Sequence, residues 1–310
     1  MDRLISFEGL GRLLELPFVQ SALIACAVLG VVAGALAPLI VARGMAFAVH
    51  GTAELAFTGG AAALLLGASV AGGAVAGAVV AALIFGWLGL RQRERDSVIG
   101  VVLAFGLGLG VLLLALYSGR ASNKFGLLTG SIVAVDSTNI VVLAAVAALV
   151  LAVLAVLYRP LLFASTDPDV ALARGVPVRA LSMVFAVLIG LTTALAVPIV
   201  GAILVLSVMI APGAAAARVT ANPLLATVLA IVIAEIALVG GVLLSLAPGL
   251  PVSGYVAALA FLLYLLCRGV GRLRRSSVRS RAGNRYALTS AADAAAGRSR
   301  PARPRRPPTR

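Results

Sequence analysis

The sequence predicts an all-α, polytopic helical bundle of the inner membrane with eight or nine crossings. Three observations lead there. Hydrophobic residues make up 62% of the 310-residue chain, and the mean hydropathy is +1.12, where soluble proteins are about half apolar. Apolar stretches of about 18 residues or more recur from end to end, each long enough to cross a hydrocarbon core about 30 Å thick. The arginines between them cluster at alternate ends, as the positive-inside rule requires.

Taken in order, residues 4–16 alternate apolar and charged groups at helical spacing, which predicts an interfacial helix over 1–18 leading into the first span. Met1, Asp2, Glu8 and Glu15 give this end no basic signal-peptide region. Spans follow near 19–42, 52–68, 70–90, 98–117, 138–158, 179–196, 198–217, 223–246 and 252–267, a transmembrane domain over 19–267. The softest boundary is Gly67 to Gly73, which holds no charge, and Pro198 predicts a tight turn between the sixth and seventh spans. Small residues four apart, Gly73 with Gly77 and Gly106 with Gly110, suit close helix packing in lipid. Gly106 to Gly110 is no nucleotide fingerprint, because it follows no strand and lies inside a span.

Arg43, Arg91, Arg93, Arg95, Arg159, Arg174, Arg179 and Arg218 follow the odd-numbered spans, whereas the opposite loops hold only Arg120 and Lys124. The N-terminus is therefore expected outside and the C-terminus in the cytoplasm. The net charge of +14 is no nucleic-acid signal: residues 268–310 hold 13 arginines against Asp293, so that tail carries +12. Its Arg, Ala, Pro and Ser content predicts a disordered basic cytoplasmic segment whose start lies on the anionic leaflet. Cys26 and Cys267 fall in different apolar segments and read as packing residues.

The chain carries no engine of its own. Its one lysine, Lys124, has no glycine-rich phosphate loop before it, and no Ser/His/Asp or His/Cys cluster suggests catalysis. The chain is not read as an enzyme, and no resident cofactor is expected.

The loop Thr166 to Val178 is polar between two long apolar segments and has the layout of a short helix. Asp167 suits the N-cap, Pro168 the first helical position, Asp169 the positive end of the dipole, and Gly175 the terminus ahead of Pro177. Such a capped helix is either a rigid docking knob or a solvated connector. A second feature is the pair His50 and Glu54, four residues apart and so on one face of a helix at the start of the second span. Ionisable groups in a span cost about 2.5–3.5 kcal/mol on insertion scales, which makes function the first hypothesis. Imidazole plus carboxylate suits Zn²⁺ or Mn²⁺; alternatively the two groups satisfy one another near a helix end. Glu235, mid-span in the eighth segment, either lines a path or pairs between helices, and Asp136 falls in an outside loop.

The loop pattern Asp-Pro-x-x-Ala-x-x-x-Gly-x-Pro-Val, at Asp167, Pro168, Ala171, Gly175, Pro177 and Val178, resembles the coupling loop of zinc/manganese-type ABC transporter permeases. Val41-Ala-Arg-Gly-Met-Ala-Phe47, Phe125-Gly-Leu-Leu-Thr-Gly130 and Val200-Gly-Ala-Ile-Leu-Val-Leu-Ser-Val-Met-Ile-Ala-Pro212 also resemble that family's landmarks, in its order, over about residues 15–270. The resemblance implies an ABC importer permease that moves zinc or manganese, as a homodimer, and the imidazole of His50 puts zinc ahead. The resemblance also implies a separate ATPase subunit docked on the loop and an extracytoplasmic metal-binding protein. In the family's stretch Arg-x-x-x-Phe/Leu-x-Gly-Asp-Ala-Leu-Ser-His-Ala-x-x-Pro-Gly, Asp and His handle metal. Aligned from Arg43, they fall on His50 and Glu54 with the ligand types exchanged, and Thr58 replaces the proline. Other readings are a permease for chelated iron, which would be longer with different loops, and an ion-driven secondary transporter, which would show internal repeats and more in-membrane carboxylates.

Overall fold

The computed structural model describes residues 14–88, 92–120, 124, 126–127, 130, 137–202, 204–246 and 252–295. Among them the longer elements are ten helices: α1 (Pro17–Ala42), α2 (Ala46–Leu65), α3 (Val70–Leu88), α4 (Gln92–Leu116), α5 (Ser137–Thr166), α6 (Pro168–Ala173), α7 (Val178–Val200), α8 (Val205–Val219), α9 (Pro223–Leu246) and α10 (Val252–Ala295). No strand occurs among the described residues. Most of the interfacial helix expected over 1–18, and Asp136, lie outside the described residues.

Among the described residues, six stretches are long and apolar enough to cross a membrane: Pro17–Ala42, Ser97–Leu116, Ile140–Thr166, Val178–Val200, Pro223–Leu246 and Val252–Leu273. Val70–Phe85 and Val205–Val219 are apolar but shorter. Helix α2 is not one of the six, because His50, Thr52, Glu54 and Thr58 dilute its apolar content. The bundle shields it instead. α2 packs against α3, α4 and α7, while α1 packs against α8 and α9, and α10 covers α8 and α9. The apolar windows of α1 and α7 are 67% buried, against 22% in α4 and α5, so the first pair is central and the second faces outward. A polar helix is tolerable at membrane depth when other helices stand between it and lipid.

Both predicted glycine pairs pack onto α2, from two different helices. A methyl group added to Gly73 would land on the carbonyl of Gly59, and one on Gly77 would land on that of Leu55, so α3 and α2 cross with their backbones nearly touching. From α4, a Cβ on Gly106 would lie 3.2 Å from Leu55 Cδ2, and one on Gly110 2.6 Å from Phe57 Cε1. Small residues at these crossings let van der Waals contact drive association where lipid offers no hydrophobic gain.

Helix boundaries differ from or sharpen the expectation at four places. The turn expected at Pro198 is absent: Pro198 lies inside α7, and the break comes at Gly201, with φ of 85°. Proline is accommodated within membrane helices because neighbours re-satisfy the carbonyl it frees, whereas positive φ is a glycine conformation. The second span begins earlier than residue 52, so His50 lies in the second turn of α2 rather than ahead of it. The soft boundary after Gly67 is a formed helix end: Gly67 has φ of 69°, and Ala68 N donates to Ala63 O at 2.8 Å. Beyond residue 268, where composition predicts disorder, helix α10 continues to Ala295. Alanine and arginine are strong helix formers, and that segment holds proline only after Arg300.

Candidate transport site and coupling helix

Helix α2 brings His50 and Glu54 onto one face, with Nδ1 and Oε1 4.0 Å apart and side-chain exposures of 32% and 8%. That separation is too long for a hydrogen bond. His50 Nδ1 and Glu54 Oε2 are buried with no hydrogen-bond partner. Mutual capping, the bland reading of the pair, would leave these atoms bonded. Buried polar groups are nearly always satisfied, so orphaned ones call for an explanation, a bound water or ion among them. The pair offers one nitrogen and one carboxylate; among the described residues no group of three or more His, Cys, Asp or Glu comes together. Glu235 therefore adds no third ligand. Its carboxylate packs over Gly30 of α1, where a Cβ would lie 2.6 Å from Oε1, and Oε1 is likewise buried without a partner.

The backbone around Glu54 is held by a residue whose role sequence reasoning missed. Thr58 Oγ1 lies 2.8 Å from the carbonyl of Glu54 and 2.6 Å from that of Gly106, joining α2 to α4 directly beside the site. In sequence Thr58 appeared only as a departure from a proline, and its β-hydroxyl was the available signal. Thr52, six residues before Thr58, donates to the carbonyl of Ala48 within α2 at 2.7 Å.

The loop Thr166 to Val178 folds as its residue types require. Asp167 is the N-cap of α6, its Oδ1 accepting from Val170 N at 3.0 Å, with Pro168 in the first turn. At the other end Val176 N donates to Ala171 O and Gly175 N to Leu172 O, both at 3.0 Å. These two bonds are the Schellman terminator, which requires the φ of 79° that Gly175 adopts. Ala171 is fully buried against the bundle, whereas Val170 and Leu172 are 44% and 61% exposed. The helix is thus anchored by one small residue and presents two apolar side chains, with Asp169 and Arg174, to the outside.

The other landmark segments also meet. The turn after Arg43 joins α1 to α2. Gly130, at φ of 80°, is pressed against the backbone of Ile199 and Val200, and Ala202 N donates to Leu127 O at 3.4 Å. Leu127 also reaches α2, its Cδ2 3.3 Å from where a Cβ on Gly60 would stand. Segments far apart in sequence therefore converge on the helix that carries His50 and Glu54.

Comparison with known proteins shows the family. Residues 15–270 match the family model described as the ABC 3 transport family. The manganese transport system membrane protein MntC of Halalkalibacterium halodurans is 32% identical over 210 residues, covering 67% of this chain and 72% of that protein. The manganese import system permease protein ScaB of Streptococcus parasanguinis is 31% identical over 210 residues, covering 67% and 75%. Among solved structures, PsaBC from Streptococcus pneumoniae in complex with Fab matches with a TM-score of 0.75 at 27% identity, over 84% of this chain and 94% of the matched chain. The chain belongs to the ABC 3 transport family, the permeases of metal ABC transporters.

Proposed function

We propose that this chain is the membrane subunit of an ATP-driven manganese importer, with His50 and Glu54 as the donors that pass the ion along α2. The observation that carries the reading is the pair of orphaned buried atoms, His50 Nδ1 and Glu54 Oε2, on one face of a shielded helix. The 4.0 Å between His50 Nδ1 and Glu54 Oε1 brings an imidazole and a carboxylate close enough to share one ion after a small change of side-chain torsion. Two donors hold an ion weakly, which suits passage rather than storage. The exchange of His and Glu relative to the family pattern keeps one nitrogen and one carboxylate. The manganese names of the relatives turn the preference from zinc to manganese, and a carboxylate with no thiolate is compatible with that choice.

The rest of the assembly follows from one coupling helix per chain. Two copies form the path at their shared axis, each docking α6 of this chain into a separate ATPase subunit that hydrolyses ATP. An extracytoplasmic metal-binding protein delivers the ion. Counting α2 and the two shorter apolar helices, α3 and α8, with the six longer ones gives nine crossings; without the polar α2 it gives eight. With nine crossings, the arginines that follow the odd-numbered spans favour an N-terminus outside and α6 in the cytoplasm.

Uptake of ⁵⁴Mn and ⁶⁵Zn by cells carrying wild-type protein, His50→Ala or Glu54→Ala tests this directly. Both variants should insert and assemble yet transport neither ion above background, with wild type preferring manganese. Normal transport by both variants removes the pair from the path, and zinc preference in wild type reverses the cargo.

A further inference from the structure

The guanidinium of Arg43 lies where three helices that flank the two functional regions meet. Its Nε donates to Ser165 Oγ at 2.8 Å, near the end of α5 and two residues before the N-cap Asp167. Its Cζ stands 5.2 Å from the ring centroid of Phe185, which is fully buried in the second turn of α7. One cation thus holds both the helix that enters the coupling helix α6 and the helix that leaves it. Bonding through Nε and stacking on a ring at once is a task for a planar guanidinium, not for an ammonium group.

The same residue is tied to the transport site through its own backbone. Arg43 is the C-cap of α1, and the terminator there has the geometry seen after α6: Gly44 has φ of 62°, Gly44 N donates to Val41 O at 3.2 Å, and Met45 N to Ile40 O at 3.0 Å. Helix α2 starts at Ala46, and His50 follows one turn later. The path from guanidinium to His50 is a closed turn and one turn of helix, with no slack loop between them.

We infer that Arg43 is a positioning residue that couples the seat of α6 to the register of α2, so that displacement of the coupling helix moves the His50–Glu54 pair. The inference rests on the proposed role of α6 as the ATPase contact. A rigid connection of this kind transmits motion only if both ends share it, which energetic coupling between its members would reveal.

The experiment uses the transporter purified with its ATPase and reconstituted in proteoliposomes, scoring manganese ions imported per ATP hydrolysed. Ser165→Ala removes the acceptor, together with the hydroxyl's own bond to the carbonyl of Leu161, and leaves a good helix former; Arg43→Gln removes the cation; Arg43→Lys keeps charge without the fork. Each should lower the ratio about fivefold or more, the scale of a typical intersite coupling, while ATP hydrolysis and the thermal midpoint stay near wild type. The double variant should be no worse than the worse single, because both remove one contact. Unchanged ratios in the single variants overturn the inference, as do additive losses or losses that track a falling midpoint. Gly175→Val in the same assay separates the two ideas. If it uncouples while Arg43 and Ser165 variants do not, only the relay fails. If Gly175→Val and the Arg43 and Ser165 variants all couple normally, the role of α6 falls and the relay with it.

Discussion

Helix α6 and the start of α2 are built on opposite principles. Every polar feature that defines α6 is satisfied within thirteen residues: Asp167 caps the first turn, and Gly175 and Val176 close the last. The loop is complete, and what it leaves over is surface, chiefly Val170 and Leu172. On α2 the reverse holds. The surroundings of His50 and Glu54 are finished, with glycine crossings from α3 and α4 and Thr58 bridging to Gly106, but the two side chains themselves are not. A finished loop with exposed apolar residues suits a docking part, and an unfinished pair on a finished scaffold suits a part that handles cargo.

The largest effect that sharpens this contrast is a loss of transport without a loss of stability. Glu54→Met keeps side-chain length, removes the orphaned carboxylate and should take ⁵⁴Mn uptake to background. Burying a polar group without a hydrogen-bond partner is costly, and an apolar side chain of similar length removes that cost, so the thermal midpoint in detergent should hold or rise. A clear fall in midpoint would mean that Glu54 holds the fold together and that the contrast is misdrawn.

The scaffold around the pair should behave the other way. Gly73→Val places two methyl groups against the Gly59 carbonyl and the Ala63 side chain, which forces α3 away from α2. Overpacking of this kind costs on the order of 1–3 kcal/mol, and transport should fall in step with the midpoint. Thermal unfolding of the variant beside Gly72→Val, whose neighbour Ser69 is 3.7 Å away at van der Waals distance, isolates the crossing from simple loss of glycine.

The local shape of the loop was legible in the sequence almost bond by bond, whereas for His50 and Glu54 only their shared helix face was. Caps and terminators are local: Asp167, Pro168 and Gly175 state their roles through types and spacing, so α6 could be read before any tertiary contact was known. The i, i+4 rule likewise put His50 and Glu54 on one face. It could not say that their facing atoms lack partners, because that depends on what α3, α4 and α7 bring near them. Pro198 misled because a proline breaks helices in water more readily than in a bundle. Arg43 stood out in sequence as a landmark and an orientation marker, but its partners Ser165 and Phe185 are more than a hundred residues away. Thr58 likewise declared nothing about Gly106. Long-range hydrogen bonds leave no periodic trace in sequence.

The smallest effect expected lies at the N-cap of α6, and it tests whether the loop is as self-contained as its bonds indicate. Asp167 Oδ1 satisfies one backbone N–H, that of Val170, and caps of this type are worth about 1 kcal/mol to the helix they start. Six residues make too short a helix to persist alone, so α6 relies on this cap, on the Gly175 terminator and on the buried Ala171 together. Asp167→Ala should leave insertion and the global midpoint unchanged, because α6 adds little to the bundle. It should raise backbone hydrogen exchange at Val170 by about fivefold, the population change that about 1 kcal/mol produces. Asp167→Asn, which keeps the acceptor, should restore protection. If exchange in the Ala variant matches wild type, the packing of Ala171 and the terminator hold α6 without its cap. If protection is lost across the ends of α5 and α7 as well, the loop is not a separate unit, and the division between a finished docking part and an unfinished transport site does not stand.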